Sequence, residues 1–185
     1  MAVRPIAHRV STDQTYKGED ILVRYHYGLD DLQMLEDQRL NGLLEYWMSL
    51  HKGANLPGKD DIDPVILGKI GIMGTVHILD VSQENPGNFF FRLYGSKMTL
   101  DKGKDYTGLR IGDYPVEIYS KALQEDYLTV KYTCVPRYQH VGAFMNYSTR
   151  GYSRLILPLA SNGHDVDRLL VGVKFQKVEI PSRLI

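Results

Sequence analysis

From residue 32 onward, large apolar side chains recur at helical spacing: Leu32, Leu35, Leu40, Leu43, Leu44, Trp47 and Leu50. Such spacing lays one apolar stripe along a helix, predicted over residues 31–51. Asp30 or Asp31 can accept bonds from its first free amides, and Gly53 is placed to end it. Pro57-Gly58 reads as a turn. Asp63-Pro64 sets a capping carboxylate before a proline at the first helical position, which predicts a short helix to Lys69. Gly71 and Gly74 break that pattern.

The period then changes. Residues 76–81 and 88–94 read as strands joined by the turn-forming stretch Asn85-Pro86-Gly87-Asn88. In residues 153–160 the leucines 155, 157 and 159 alternate. In residues 168–177 Leu169, Val171, Val173 and Phe175 do the same, the period of a sheet with one buried face. Asn162-Gly163 supplies the turn between them. A further strand is predicted over 137–147. Val116, Tyr119, Leu123, Tyr127 and Val130 form a second helical stripe, entered at Asp113 or Tyr114-Pro115, with short helical turns around 96–100. Residues 21–27 read as a strand or an extended arm. Strands segregated from helices in this order define an antiparallel α+β domain.

Composition narrows the classes. Lys plus Arg and Asp plus Glu each total 22 among 185 residues. That balance disfavours a nucleic-acid protein, whose affinity rests largely on neutralising phosphates. The single cysteine, Cys134, excludes an internal disulfide and a multi-cysteine zinc site. No apolar run approaches the roughly 20 residues of a membrane span, and the first eleven residues lack a signal-peptide core, so a cytoplasmic location without membrane contact is expected.

Four landmarks sharpen the fold: Leu56-Pro57 through Asp61-Ile62-Asp63-Pro64, then Phe91-Arg92-Leu93-Tyr94-Gly95-Ser96, Asp105-Tyr106-Thr107-Gly108, and Leu157-Pro158-Leu159. In order and spacing they resemble a bacterial family of small, single-domain PAS-like proteins, over about residues 32–175. The resemblance implies a five-stranded antiparallel sheet with central helices on one face, preceded by the amphipathic helix. The expected division is an extension over 1–29, the domain over 30–177 and a tail over 178–185. It also implies sensing or protein–protein signalling rather than metabolism, with output through a signalling partner.

Cofactor chemistry can be weighed on that frame. Haem-binding PAS domains draw a proximal histidine from the central helix, and residues 116–130 contain none; Tyr119, Tyr127 and Tyr132 are the remaining iron-ligand types there. The photoreactive flavin motif is missing, because Cys134 follows the helix between Thr133 and Val135. Haem and flavin are therefore disfavoured. Cys134 reads as a small buried residue, reactive only if Lys131, Arg137 or His140 supports its thiolate. Six scattered histidines and the Asp60-Asp61-Asp63 run provide no metal-ligand spacing.

Thirteen tyrosines are the compositional outlier. Tyrosine combines an apolar body with a polar tip and suits either a packed core or a pocket for a semi-polar ligand. The inward candidates are Tyr94, Met98, Tyr119, Leu123, Tyr127, Phe144 and Leu157. Arg92 and Arg154 are the cations able to grip a carboxylate or phosphate with paired bonds. Their alternation with apolar neighbours instead points them to solvent. On the first helix, Leu40, Leu43, Leu44, Trp47 and Leu50 form an interface face if the chain dimerises, and a sheet-packing face if it does not.

The leading expectation is a non-catalytic sensory or regulatory domain that binds a small molecule, a protein partner, or both. Two rivals stand beside it. One is a small α+β isomerase or hydratase using Tyr94 with Asp80 or Asp105, which requires a pKa displaced by burial. The other is a ligand-free adaptor.

Overall fold

In a computed structural model, residues 9–14, 21–27, 35–82, 84–85, 87–145 and 148–176 are described. Seven strands form one sheet: β1 (Arg9–Gln14), β2 (Ile21–Tyr27), β3 (Val76–Val81), β4 (Phe89–Tyr94), β5 (Arg137–Met145), β6 (Ser148–Leu159) and β7 (Arg168–Phe175). Their spatial order is β1-β2-β5-β6-β7-β3-β4, with every neighbouring pair antiparallel. The five-stranded sheet expected from the sequence is the β5-β6-β7-β3-β4 part. The β1–β2 hairpin extends it, so residues 21–27 are a paired strand rather than an arm.

The four helices are α1 (Gln38–Ser49), α2 (Pro64–Ile70), α3 (Ser96–Lys102) and α4 (Glu117–Thr133). The first begins later than its leucine period suggests. Asp37 is its cap, accepting from the amides of Arg39 and Leu40 at 3.1 and 3.0 Å, and residues 35–37 are not helical. Asp30, Asp31 and Leu32 lie outside the described residues. At α2 the expected cap is realised, with the Val65 amide donating to Asp63 at 2.8 Å. At α4 it is not. Val116 precedes the helix without a side-chain cap, and the Asp113 carboxylate instead accepts from the Arg110 amide at 2.7 Å.

Both faces of the β5-β6-β7-β3-β4 part of the sheet are covered, and this decides where its described side chains go. Leu155, Leu157, Leu159, Leu170 and Val76 meet Leu40, Leu43, Leu44 and Trp47 of α1 and Leu67 of α2 on the outer face. Gly172 permits that approach: a Cβ there would lie 2.6 Å from Leu43 Cδ2 and 2.9 Å from Ile72 Cδ1. The Trp47 indole donates to the Pro158 carbonyl at 2.9 Å. β5 begins at Arg137, opposite Ile156, so proline at 158 removes no ladder bond on that side. Tyr46 clamps the other edge of α1, donating to the Asp61 carbonyl at 3.1 Å and accepting from the Asp63 amide at 2.7 Å.

The inner face carries Leu79, Phe89, Phe91, Tyr152, Ile156, Leu169, Val171 and Val173, roofed by Ile118, Tyr119, Ala122, Leu123, Tyr127 and Val130 of α4 and by Met98 of α3. The free edge of β4 is closed by the 108–109 segment, which exchanges backbone bonds with Phe91 at 2.7 and 3.0 Å.

Candidate functional site

The expected inner residues converge, but as a packed aromatic layer. Tyr94, Met98, Tyr119, Leu123 and Tyr127 are all buried in the inner core. Tyr106 and Tyr114 stack at 4.2 Å, and Tyr94 meets Phe91 edge-on at 5.1 Å. The Tyr114 hydroxyl donates to that of Tyr94 at 3.2 Å, and the Tyr119 and Tyr152 hydroxyls are 2.8 Å apart. Burial pushes the phenols of Tyr114, Tyr119, Tyr127 and Tyr152 upward, so all stay protonated near neutrality. His77 stacks on Tyr94 at 4.5 Å, and burial lowers its pKa to about 3, which keeps it neutral. Leu157 belongs to the opposite face, against α1, because it alternates with Ile156. The side chain of Phe144 lies outside the described residues.

The two arginines part company. Arg92 is on the rim, bonding through Nε to Asp80 at 2.8 Å, and Arg168 holds the other Asp80 oxygen at 2.7 Å. Arg154, a ligand-binding candidate whose alternation with apolar neighbours points to solvent, is 2% exposed on the inner face. The correction follows from the second covering layer: Ser153 and Leu155 point to the α1 side, so residue 154 must point toward α4. There it meets Asp126, whose side chain is 1% exposed.

Asp126 is the centre of a buried polar cluster. Its Oδ2 takes Arg154 Nη2 and, at 3.1 Å, Arg24 Nη1; its Oδ1 takes Arg137 Nη1 at 2.9 Å. Arg154 Nε donates to Gln139 Oε1 at 2.6 Å, and the Gln139 amide contacts His26 Nδ1 at 2.7 Å. Arg24 also donates to the Ala122 carbonyl at 3.1 Å and to Glu125 at 3.0 Å. Burial opposes the Asp126 charge, but Arg154 and Arg24 outweigh it and hold the carboxyl below its usual range. For Arg154 burial again opposes ionisation, and the Asp126 carboxylate reverses the balance, so it is charged. Burial brings His26 down to about 4, leaving it neutral.

Among the described residues, Arg154 Nη1 is one of the buried side-chain atoms without a hydrogen-bond partner. The guanidinium carbon lies 5.4 Å from the Tyr127 ring centroid, beside Tyr152 and Tyr119. Sequence reasoning did not single out Asp126, Arg24, Arg137, Gln139 or His26 as a site. One signal was available: Asp126 follows Tyr119 and Leu123 by seven and three positions, so it sits on the apolar stripe of α4, where a carboxylate demands a buried partner.

The remaining expectations are quickly placed. Leu40, Leu43, Leu44 and Trp47 are buried against the chain's own sheet, and Leu50 is half-buried. Tyr132 is exposed. Cys134 caps α4 with a left-handed backbone (φ 57°), its Sγ 3.8 Å from the carbonyls of Lys131 and His164. Arg137 is engaged with Asp126, and His140 with Tyr138 and Gln176. Asp105 accepts from the Thr107 amide at 2.8 Å, which lowers its pKa, the opposite of what an acid–base enzyme requires. Asp61 bonds the Gly58 amide and Lys52. Two surface clefts, of about 320 and 530 Å³, flank the β6–β7 loop, and neither is lined by the inner-face tyrosines or Arg154. Among the described residues no helix is long and apolar enough to cross a membrane.

A five-stranded antiparallel core in the order β5-β6-β7-β3-β4, with helices roofing its inner face, defines the class of PAS-fold domains. The comparison with family models agrees: the PAS domain model matches residues 35–173, and the chain belongs to that family. PAS domains are generally non-catalytic sensory and regulatory modules, and membership suggests that class of role. No curated protein and no solved structure matches the chain.

Proposed function

We propose that the chain is a non-catalytic regulatory PAS domain of the cytoplasm that binds a small molecule on its inner face at Arg154 and signals through a protein partner. The observation that carries this reading is the buried Nη1 of Arg154, a charged donor group without an acceptor among the described residues. A buried donor left unmade costs about 1–3 kcal/mol, which an acceptor on a ligand would return. Arg154 and Asp126 join β6 to α4, so a ligand that draws on Arg154 also alters what holds α4. A ligand can shift the domain only as far as it distinguishes two such arrangements.

A second reading has its own support. The stacked Tyr106 and Tyr114 rings and the bonded Tyr119 and Tyr152 hydroxyls occupy the inner face with protein side chains, as suits a ligand-free adaptor.

A thermal-shift screen of metabolites on the wild-type chain and on Arg154→Lys separates the two. Saturable stabilisation of the wild type, lost in the variant, is expected. A flat response across the panel would favour the adaptor.

A further inference from the structure

We infer that the edge of β5 is a docking site for an extended strand of a protein partner, a site the chain covers with its own β2. The inference rests on the partner half of the reading above and adds where the partner binds and by what chemistry. β2 pairs with β5 over seven residues, from Ile21 opposite Phe144 to Tyr27 opposite Tyr138. The β1–β2 hairpin precedes the residues that the PAS domain model matches, 35–173. Within the matched span β5 is the outermost strand on that side of the sheet. An open sheet edge pairs readily with an extended chain.

The buried cluster is built so that β2 can leave it. Asp126, Arg137, Gln139 and Arg154 all lie within the matched span, whereas Arg24 and His26 come from the hairpin. Without Arg24, Asp126 Oδ1 keeps Arg137 at 2.9 Å and Oδ2 keeps Arg154. Gln139 Oε1 keeps Arg154 Nε at 2.6 Å. Removing one partner of a buried pair is costly when it strands the other charge. Here the carboxylate that β2 vacates stays paired on both oxygens, and the departing guanidinium regains water.

What β2 inserts defines what can replace it. Leu22 is buried in the inner core that also holds Val141 and Tyr152. Arg24, two positions on and so on the same face, bonds Asp126, Glu125 and the Ala122 carbonyl. Tyr27, on the opposite face, lies 5.3 Å from the Tyr138 ring and 4.9 Å from that of His140. The partner segment is therefore an extended strand with an apolar residue, an arginine two positions later and an aromatic residue three beyond that. The three acceptors on α4 select its cation, because bonds between a guanidinium and a carboxylate are the strong ones. Through the same acceptors, strand replacement acts on α4 directly.

The test uses the full chain labelled with nitrogen-15 and, as the probe, an unlabelled peptide of residues 20–28. The tethered hairpin competes at a high effective concentration. The loosened variant Arg24→Ala should therefore saturate at a peptide concentration at least tenfold lower than the wild type, with the β5 amide signals moving in both. A peptide with alanine at the arginine position should bind that variant at least tenfold more weakly than the native peptide. Hydrogen exchange of the wild type is the second measurement. The amides of residues 21–27 that bond β5 should exchange at least a hundredfold faster than those within β6 and β7, as a separately opening unit does. If Arg24→Ala does not fold, this exchange and the wild-type titration decide. No saturation, equal binding of the two peptides, or equal protection of β2 and β6 would overturn the inference. A dimer that exchanges hairpins would overturn it too, since the occupant would then be a second copy. In each of those events, metabolite stabilisation lost in Arg154→Lys would leave the ligand-binding reading standing; a flat screen with strand docking intact would sink that reading alone.

Discussion

Asp126 of α4 and Arg154 of β6 form an ion pair whose side chains are 1% and 2% exposed, and both Asp126 oxygens are fully used by arginines. Pairs this deep are not strong sources of net stability, but breaking one from the acid side leaves buried cations without a counter-charge. Asp126→Asn is therefore expected to cost about 3–5 kcal/mol. Adding Arg154→Met to that variant should recover part of the loss. Urea unfolding of the two variants and of Arg154→Met alone, compared as a cycle, checks it; equal stability of wild type and Asp126→Asn would contradict it.

Acid sensitivity follows from the same cluster and from two histidines. His26 and His77 are neutral in the fold, with pKa values of about 4 and about 3, and ordinary in the unfolded chain. The unfolded state then binds more protons below pH 6.5, so their contribution is full above that value and lost as pH falls toward 3–4. Asp126, held low by its arginines after burial is overcome, adds a second loss below about pH 4. Stability measured from pH 7.5 to 4 should decline, and the decline should be shallower in His77→Phe than in the wild type.

Two glycines should respond unequally to alanine. At Gly95 a Cβ would lie 2.6 Å from the Gly74 carbonyl oxygen and 2.8 Å from that of Val76, both backbone atoms. At Gly172 the nearest atoms are the ends of the Leu43 and Ile72 side chains. Overpacking costs roughly 1–3 kcal/mol. Gly95→Ala is expected at the upper end and Gly172→Ala at the lower, with Leu43→Val relieving only the second. Equal losses in chemical denaturation would count against this account of the two contacts.

Trp47, the single tryptophan of the chain, reports on α1. Its indole is buried and bonded to the Pro158 carbonyl. Its emission should be blue-shifted in the native protein. Trp47→Phe should lose roughly 1 kcal/mol beyond any change in packing, the usual net worth of one such bond. Red-shifted native emission would mean that α1 does not rest on the sheet.

Much of the architecture was legible from periodicity. Residues 76–81, an apolar run followed by the Asn85–Asn88 turn, form β3 with the expected bounds, and Asp63-Pro64 opens α2 as its chemistry requires. The start of α1 was harder to place because Leu35 is buried without being helical, so the leucine period overran the cap at Asp37. Alternation favours an outward Arg154 over an inward one because it states only that neighbours point to opposite faces. It does not say that both faces are roofed. With α1 over Leu155 and α4 over Arg154, the charged member of the alternation is also buried, and its partner on α4 lies 28 residues away. Interactions of that separation leave no local period to read.

The central claim is that this PAS domain takes a small ligand at Arg154. Native mass spectrometry tests it most directly, on wild type and Arg154→Lys after incubation with the small-molecule fraction of a deproteinised cell extract. A defined mass excess on the wild type that is absent from the folded variant is the expected result. A bare chain mass for both, or the same excess on both, would contradict the claim.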